Sequence, residues 1–197
     1  VAGLEINGEE AAWRLAEAVR IKTVSHGDPT RFEPEAFLAM HDYLAATFPR
    51  THETLTREPV NTYSLLYTWP GSDPNLRPLL LLAHLDVVPV EPGTEMSWSQ
   101  PAFGGVVDDG YIWGRGTLDD KASALGIMEA VEALLATGFT PKRTILIALG
   151  HDEELGGANG AGVIAALLES LDVRPLFSLD EGGVILDGVL PGLPVTA

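Results

Sequence analysis

Four stretches of the sequence, each an apolar strand-like run followed closely by His, Asp or Glu, constrain the fold most strongly. They carry His84 and Asp86, Asp119 and Asp120, Glu153 and Glu154, and Asp180 and Glu181. A near-continuous apolar strand such as LLLLAHLDVV is typical of a mostly parallel sheet that helices cover on both faces. In open α/β sheets, ligands bind at the ends of such strands. Together the four stretches predict a two-metal hydrolase site at one edge of the sheet.

The rest of the sequence predicts the helices, turns and further strands that accompany this sheet. A helix is predicted after the N-cap Asn7 and another from Pro34, while LDDKASALGIMEAVEALLATG and ANGAGVIAALLESL predict two more. ETLTREPV and YSLLYTWPG read as strands, VVDDGYIWG as a hairpin, and EGGVILDG as a further edge strand. His41 and His52 are expected at the surface. The order of strands and helices predicts the α/β class, a three-layer α/β/α sandwich with a mostly parallel central sheet, incomplete at the C-terminus.

The composition limits the classes of binding partner and the types of metal ligand that this chain can have. The 197 residues carry a formal net charge of −16, which argues against nucleic acid and anionic membrane as partners, because both require clustered Lys and Arg. There is no cysteine, so any metal must use His and carboxylates. No apolar run approaches the ~20 residues of a membrane span. No signal peptide is visible, and both a cytoplasmic location and secretion after removal of a signal stay open.

Each stretch taken alone also has a structural interpretation. His84 and Asp86 could form a buried structural pair, and Asp119 with Asp120 could cap a helix. Glu153 and Glu154 could end a solvated loop, and Asp180 could lie in a turn before two glycines. The coincidence of all four at successive strand ends favours the site.

The residue types suit metal-assisted hydrolysis. A metal-binding imidazole such as His84 commonly donates its other N–H to a carboxylate, which Asp86 would provide from the same face of the strand. One carboxylate can bridge two cations at ~3.5–4 Å separation. Adjacent carboxylates such as Glu153 and Glu154 are costly unless a cation lies between them or one is protonated. Two metals would leave one glutamate as ligand and the other as general base.

The motifs HLDVVPV, GRGTLDDK, HDEELGG and SLDEGG, in this order and spacing, closely resemble the M20 family of zinc peptidases and deacylases. Within that family the pattern resembles the carboxypeptidase S and N-acyl-amino-acid hydrolase branch most. The resemblance extends from about Glu9 to Asp187. It implies a zinc-peptidase-like catalytic domain and a small amide substrate with a free carboxylate, either a dipeptide or an N-acyl amino acid. An aminoacylase or a desuccinylase of the acetylornithine deacetylase type is the alternative within the class.

The resemblance also implies a role for each residue. His84 matches a ligand of the first metal, Asp86 its orienting partner, Asp119 the bridging carboxylate and Glu153 the general base. The peptide bond after the bridging residue is expected to be cis, here Asp119–Asp120. Two zinc ions per complete site are implied, with Co²⁺ or Mn²⁺ as substitutes. The remaining matches are Glu154 as ligand of the second metal and Asp180 as second ligand of the first.

Family members are roughly twice this long, so the resemblance implies that residues 1–187 form the N-terminal portion of the catalytic domain. Residues 188–197 would begin the connection to a lid domain, through which a homodimer could form. In the family, a histidine ligand and the groups that bind the substrate carboxylate come from outside the matched region. His151 is not expected to replace that ligand. A hypothesis from another class is a non-catalytic domain that does not complete its metal site.

Overall fold

The computed structural model describes residues 4–182, which fold into a five-stranded sheet with helices on both faces and a separate two-stranded hairpin. None of the helices in this range is long and apolar enough to cross a bilayer. In chain order the elements are α1 Gly8–Arg20, α2 Pro34–Thr47, α3 Pro49–Thr54, β1 Thr56–Val60, β2 Ser64–Trp69, β3 Leu79–His84, β4 Val106–Asp108, β5 Tyr111–Trp113, α4 Lys121–Ala136, β6 Ile145–Gly150, α5 Ala161–Ser170 and β7 Ser178–Leu179.

The strand order of the main sheet is β1-β2-β6-β3-β7. Strands β6, β3 and β7 are parallel, as predicted, and β3 runs beside β6 until His84 lies opposite Gly150. On the other side, β1 and β2 are antiparallel because a short turn joins them, and β2 is antiparallel to β6. The carboxyl ends of β3 and β6 therefore meet at one edge of the sheet.

Alternate side chains of the strands pack into two apolar layers. On one face, Tyr67 and Ile147 pack with Met128 of α4 and with residues of α1 and α2. On the other face, Leu146 packs against Ile164 of α5. Burial of each such side chain contributes about 1.5–3 kcal/mol. The predicted α/β/α layering is confirmed.

The predicted helix starts are also confirmed. The side chain of Asn7 accepts hydrogen bonds from the backbone of Glu9 and Glu10, so that it caps α1. Pro34 is the first residue of α2. The short helix α3 was not predicted, although Pro49 at its first position is a helix-start signal. The expected strand EGGVILDG and the expected boundary after residue 187 lie outside the described residues.

The expectation that His41 and His52 lie at the surface is wrong. His41 is only 7% exposed, and its Nε2 lies 2.9 Å from the carbonyl oxygen of Tyr63. The half-buried ring of His52 lies between the carbonyl of Phe48 and the hydroxyl of Tyr67. Burial lowers the pKa of both imidazoles. Both rings are held by backbone or side-chain partners that sequence spacing does not reveal.

Candidate metal centre

Three of the predicted metal ligands converge at the carboxyl ends of β3 and β6. His84 is the last residue of β3, and its Nε2 lies 2.9 Å from Oδ1 of Asp119, just before α4. Glu154 lies in a short 3-10 turn, Glu153–Leu155, that follows β6. One ligand atom from each of His84, Asp119 and Glu154 lies within 4.8 Å of the others. Three separate elements thus offer an imidazole and two carboxylates to one point.

Asp86 connects the imidazole to the glutamate turn. Its Oδ1 lies 3.2 Å from Nδ1 of His84, and its side chain is fully buried. The hydroxyl of Ser25 donates to Oδ2 at 2.6 Å. The backbone amides of Glu153 and Glu154 donate to the same carboxylate at 3.1 and 3.2 Å. One buried carboxylate therefore orients His84 and also fixes the turn that carries both glutamates.

The charges in this cluster act strongly on one another. Burial lowers the pKa of His84, but the hydrogen bond and the charge of Asp86 outweigh it and raise the pKa to about 10. Burial would raise the pKa of Asp86, yet the hydrogen bonds from His84 and Ser25 hold it below its usual value. In the absence of a cation, the cluster therefore holds a proton on the imidazole. A metal that binds Nε2 must displace this proton, so binding releases it.

The donor set fits a divalent cation. Burial and the neighbouring Asp119 raise the pKa of Glu154 even though the charge of His84 acts to lower it, as expected for crowded carboxylates. Oδ1 of the buried Asp120 has no hydrogen-bond partner within residues 4–182. Imidazole nitrogen and carboxylate oxygen, without thiolate, are ligands that zinc accepts at catalytic sites. The residues present can hold such an ion.

The peptide bond between Asp119 and Asp120 is cis, as expected from the resemblance. The alternative of a helix-capping pair is not supported, because the side chain of Asp120 makes no capping hydrogen bond to α4. Its Oδ2 instead accepts the backbone N–H of His84 at 3.3 Å. The fully buried ammonium of Lys121 donates to the carbonyls of Ala18 and Ile21 at the end of α1. These two bonds hold the start of α4 against the end of α1.

The stretch after β7 contributes a residue that sequence reasoning did not assign. Oε1 of Glu181 lies 3.6 Å from Nε2 of His84, and Glu181 forms a second potential ligand group with His84 and Asp120. Asp180 belongs to neither group, and its Oδ1 accepts the backbone N–H of Glu181 at 2.9 Å. The ligand role of Asp180 stays a prediction. Glu181 could have been considered from its position next to Asp180 in the same motif.

Glu153, the predicted general base, lies beside the proposed ligands. Its Oε2 lies 3.8 Å from Nε2 of His84, while about half of its side chain remains exposed. It is therefore close to the proposed ligands and open to an incoming substrate. His151, two residues earlier, points elsewhere: its Nδ1 lies 2.6 Å from the hydroxyl of Ser64. It belongs to neither of the two potential ligand groups in the described part of the chain.

Comparison with known proteins identifies the family. Residues 80–192, more than half of the chain, match the model of peptidase family M20/M25/M40. The chain belongs to this family. Its matched segment contains all four stretches that carry the candidate site.

Curated relatives point to one branch of the M20 family. Probable carboxypeptidase S-like 2 of Dictyostelium discoideum is 48% identical over 93% of this chain and 36% of its own length. The N-fatty-acyl-amino acid synthase/hydrolase PM20D1 of Bos taurus is 44% identical over 91% of the chain and 35% of its own length. Carboxypeptidase S of Saccharomyces cerevisiae is 44% identical over 88% of the chain and 32% of its own length. The chain thus spans about a third of the length of these relatives.

Solved structures confirm the fold. Human carnosine dipeptidase 1 superposes with a TM-score of 0.68 at 21% identity, over 90% of this chain and 39% of that one. The metallo-carboxypeptidase Sso-CP2 of Sulfolobus solfataricus gives the same TM-score at 19% identity, over 89% and 38%. The α/β sheet with its helices is the shared architecture.

Proposed function

We propose that this chain forms part of a metal-dependent hydrolase that cleaves an amide bond in a small substrate with a free carboxylate. The observation that carries the proposal is the convergence of His84, Asp119 and Glu154 within 4.8 Å at the carboxyl ends of two parallel strands. The names of relatives, carboxypeptidase S and N-fatty-acyl-amino acid synthase/hydrolase, support a dipeptide or an N-acyl amino acid as substrate.

Two zinc ions are proposed as the resident metals, with Co²⁺ or Mn²⁺ as substitutes. His84 and Asp180 would hold the first ion, Asp119 would bridge the pair, and Glu154 would hold the second. Glu181 is a competitor of Asp180 for the first ion, since its carboxylate is the one that faces His84. Bound zinc supplies an acidified water and a Lewis acid for the scissile carbonyl.

The side chains of the chain perform the proton transfers and the positioning. Glu153 takes the proton from the attacking water and returns it to the leaving nitrogen. Nδ1 of His84 donates to the backbone carbonyl oxygen of Asp86 at 3.0 Å and lies 3.2 Å from its Oδ1, so Nε2 is the nitrogen that would bind a metal once its proton is lost. Asp86 also accepts hydrogen bonds from the backbone amides of Glu153 and Glu154. It therefore fixes the position of the proposed base relative to the proposed ligand.

The Glu153→Gln variant tests the proposed chemistry. It keeps the size of the side chain but removes the base, so kcat should fall by about 10²–10⁴-fold while the metal content stays unchanged. The matched control is Glu169→Gln on the exposed side of α5, which should retain activity. Steady-state kinetics and elemental analysis of the same preparations give both readouts. A Glu153→Gln protein with wild-type kcat would refute the assignment of the base.

Within the same class, an aminoacylase is the second candidate, because relatives are named N-fatty-acyl-amino acid synthase/hydrolase. Dipeptides and N-acyl amino acids that share the same C-terminal residue separate the two. A preference for the acylated series in kcat/KM supports the aminoacylase, and a preference for the dipeptides supports the carboxypeptidase.

A further inference from the structure

The segment that follows α1 pairs with the stretch that follows β3. Val24 and Val87 form a parallel bridge. The backbone N–H of Val87 donates to the carbonyl of Thr23, and the backbone N–H of Ser25 donates to the carbonyl of Val87, both at 3.0 Å. We call residues 21–25 the brace. The stretch after β3 is therefore held by backbone hydrogen bonds to the brace.

The brace is itself held by side chains at its start and in its middle. At its start, the ammonium of Lys121, the first residue of α4, donates to the carbonyl of Ile21 at 2.6 Å. In its middle, the hydroxyl of Thr23 donates to the carbonyl of Leu85 at 2.5 Å. Lys121 and Thr23 are both fully buried, so water does not compete for these bonds. Two separate elements thus fix the position of the brace.

Ser25 extends this backbone pairing to the side chain of Asp86. Its hydroxyl donates to Oδ2 of Asp86 at 2.6 Å, a length typical of an O–H group that is bonded to a charged carboxylate. The same hydroxyl lies 3.5 Å from the carbonyl oxygen of His151, so the carboxylate is its main acceptor. Both Ser25 and Asp86 are buried. The hydroxyl therefore connects the brace to the carboxylate without help from water.

The other polar contacts of the Asp86 carboxylate come from the residues that it positions. Oδ1 accepts the backbone N–H of Glu153 at 3.1 Å and faces Nδ1 of His84 at 3.2 Å. Oδ2 accepts the backbone N–H of Glu154 at 3.2 Å. A carboxylate bonded only to these groups would shift together with them. Among residues 4–182, Ser25 is the hydrogen-bond donor that ties the carboxylate to a separate part of the fold.

The rotation of a carboxylate depends strongly on its hydrogen bonds. The last side-chain torsion of an aspartate has broad minima, so sterics alone do not fix the direction of its two oxygens. Without the hydroxyl of Ser25, Oδ2 of Asp86 keeps the longer bond from Glu154. The carboxylate can then turn, and Oδ1 moves relative to Nδ1 of His84. Because a partner at the second ring nitrogen orients a metal-binding imidazole, this rotation also changes the direction of Nε2.

We propose that Ser25 is a positioning residue of the metal centre, which acts on His84 through the carboxylate of Asp86. Its hydroxyl fixes the carboxylate against the brace, so that Nε2 of His84 is directed toward Asp119 before a metal binds. This inference rests on the proposed metal-dependent hydrolase. It assigns the preorganisation of that site to a residue 61 positions before Asp86 in the chain.

The zinc affinity of the full-length protein, measured by competition with a chelating dye, tests the inference. Ser25→Ala should weaken zinc binding about tenfold, whereas Ser25→Thr, which keeps the hydroxyl, should stay within about threefold of wild type. Ser25 lines a cavity of about 320 Å³, which offers room for the additional methyl group of threonine. The matched control is Ser170→Ala at the exposed end of α5, where the hydroxyl donates to the carbonyl of Leu167. This control should bind zinc as the wild type does.

Thr23→Val separates positioning of the carboxylate from general loosening of the brace. Valine keeps the shape of Thr23 but removes its bond to Leu85, so the variant should unfold at a lower urea concentration and yet bind zinc within about twofold of wild type. An equal loss of zinc affinity in Thr23→Val and Ser25→Ala overturns the inference, as does a Ser25→Ala protein with wild-type affinity.

Two further comparisons keep the result unambiguous. Should Ser25→Ala not fold, Ser25→Val and Ser25→Thr take its place, because valine and threonine have nearly the same shape and differ in the hydroxyl. The threonine variant should then bind zinc more tightly, and equal affinities overturn the inference. A wild-type protein that binds zinc but cleaves neither dipeptides nor N-acyl amino acids refutes the proposed hydrolase and leaves the comparison of zinc affinities valid.

Discussion

At the residue scale, Asp86 is the side chain on which the candidate site depends most. It is completely buried, and it accepts from Ser25 and from the amides of Glu153 and Glu154 while it lies 3.2 Å from the ring of His84. Burying a carboxylate without these hydrogen-bond partners would cost free energy. The charge of Asp86 therefore requires its hydrogen bonds, and the hydrogen bonds require the charge. The imidazole and the glutamate turn are consequently held by one residue.

Substitution Asp86→Asn tests this dependence. The asparagine amide keeps the shape of the side chain, but it places an N–H group opposite one of the hydrogen-bond donors to Asp86. It also removes the charge that orients the imidazole of His84. Zinc affinity should therefore fall by about 10–100-fold. The matched control is Asp42→Asn on the exposed side of α2, which should leave affinity unchanged. Competition with a chelating dye measures the zinc affinities of both variants and of the wild type. Equal affinities for Asp86→Asn and wild type would show that Asp86 does not orient the ligands.

The sequence allowed most residues of the candidate site to be predicted. The ends of β3 and β6 bring His84 and Glu154 to one edge, whereas Asp119 reaches it from the loop between the separate hairpin and α4. His84, Asp119 and Glu154 were expected and lie together. The resemblance implied Asp180 as a ligand, whereas the carboxylate of the adjacent Glu181 lies 3.6 Å from Nε2 of His84. The directions of two adjacent side chains do not follow from sequence, so the ligand role of Asp180 stays a prediction.

At the scale of elements, helix α1 and the small hairpin β4–β5 meet at Gly105. The side chain of Arg20, the last residue of α1, donates to the carbonyls of Gly104 and Gly105 at 2.9 and 3.0 Å. Gly105 has φ of 51°, and a Cβ there would collide with the carbonyl oxygen of Ala16. The hairpin approaches the helix closely only because this residue is glycine.

Gly105→Ala should therefore destabilise the protein by about 1–3 kcal/mol, through backbone strain and through separation of the hairpin from α1. Urea unfolding monitored by circular dichroism measures the loss. Gly8→Ala, at the start of the same helix, is the control, because a Cβ at Gly8 meets nothing within 4 Å and the backbone is helical. If both variants unfold at the same urea concentration, the close approach at Gly105 carries no energetic weight.

Local signals predicted individual elements better than their arrangement. Asn7 and Pro34 mark helix starts through chemistry that acts within one turn. The insertion of β6 between β2 and β3, and the antiparallel direction of β2, depend on long-range pairing of strands that are all apolar and similar in length. No residue of β2 distinguishes a parallel neighbour from an antiparallel one.

At the scale of the whole molecule, buried histidines link stability to pH. Burial lowers the pKa of His41, His52 and His151 below the usual 6.5. The unfolded chain therefore binds more protons than the folded one below pH 6.5. The contribution of these three histidines to stability is fully present above that value and is lost as the pH falls toward their folded pKa values.

The variant His41→Gln tests this linkage. Its side-chain amide can still donate to the carbonyl of Tyr63, but it does not titrate, so the fall in stability between pH 7 and 5.5 should become shallower by up to about 1.4 kcal/mol per pH unit. Thermal unfolding across this pH range, with wild type in the same buffers, gives the slopes. Identical slopes would show that His41 is protonated alike in folded and unfolded chains.

The central claim is that His84, Asp119 and Glu154 form a metal centre, and metal content per chain tests it most directly. Wild type and His84→Ala, purified in the same way without chelator, are compared by elemental analysis, with the buried but distant His41→Gln as control. The account predicts bound zinc in the wild type, with two ions per complete site, and a marked loss only in His84→Ala. A wild-type protein without metal, or a His84→Ala protein with undiminished metal, would contradict the account.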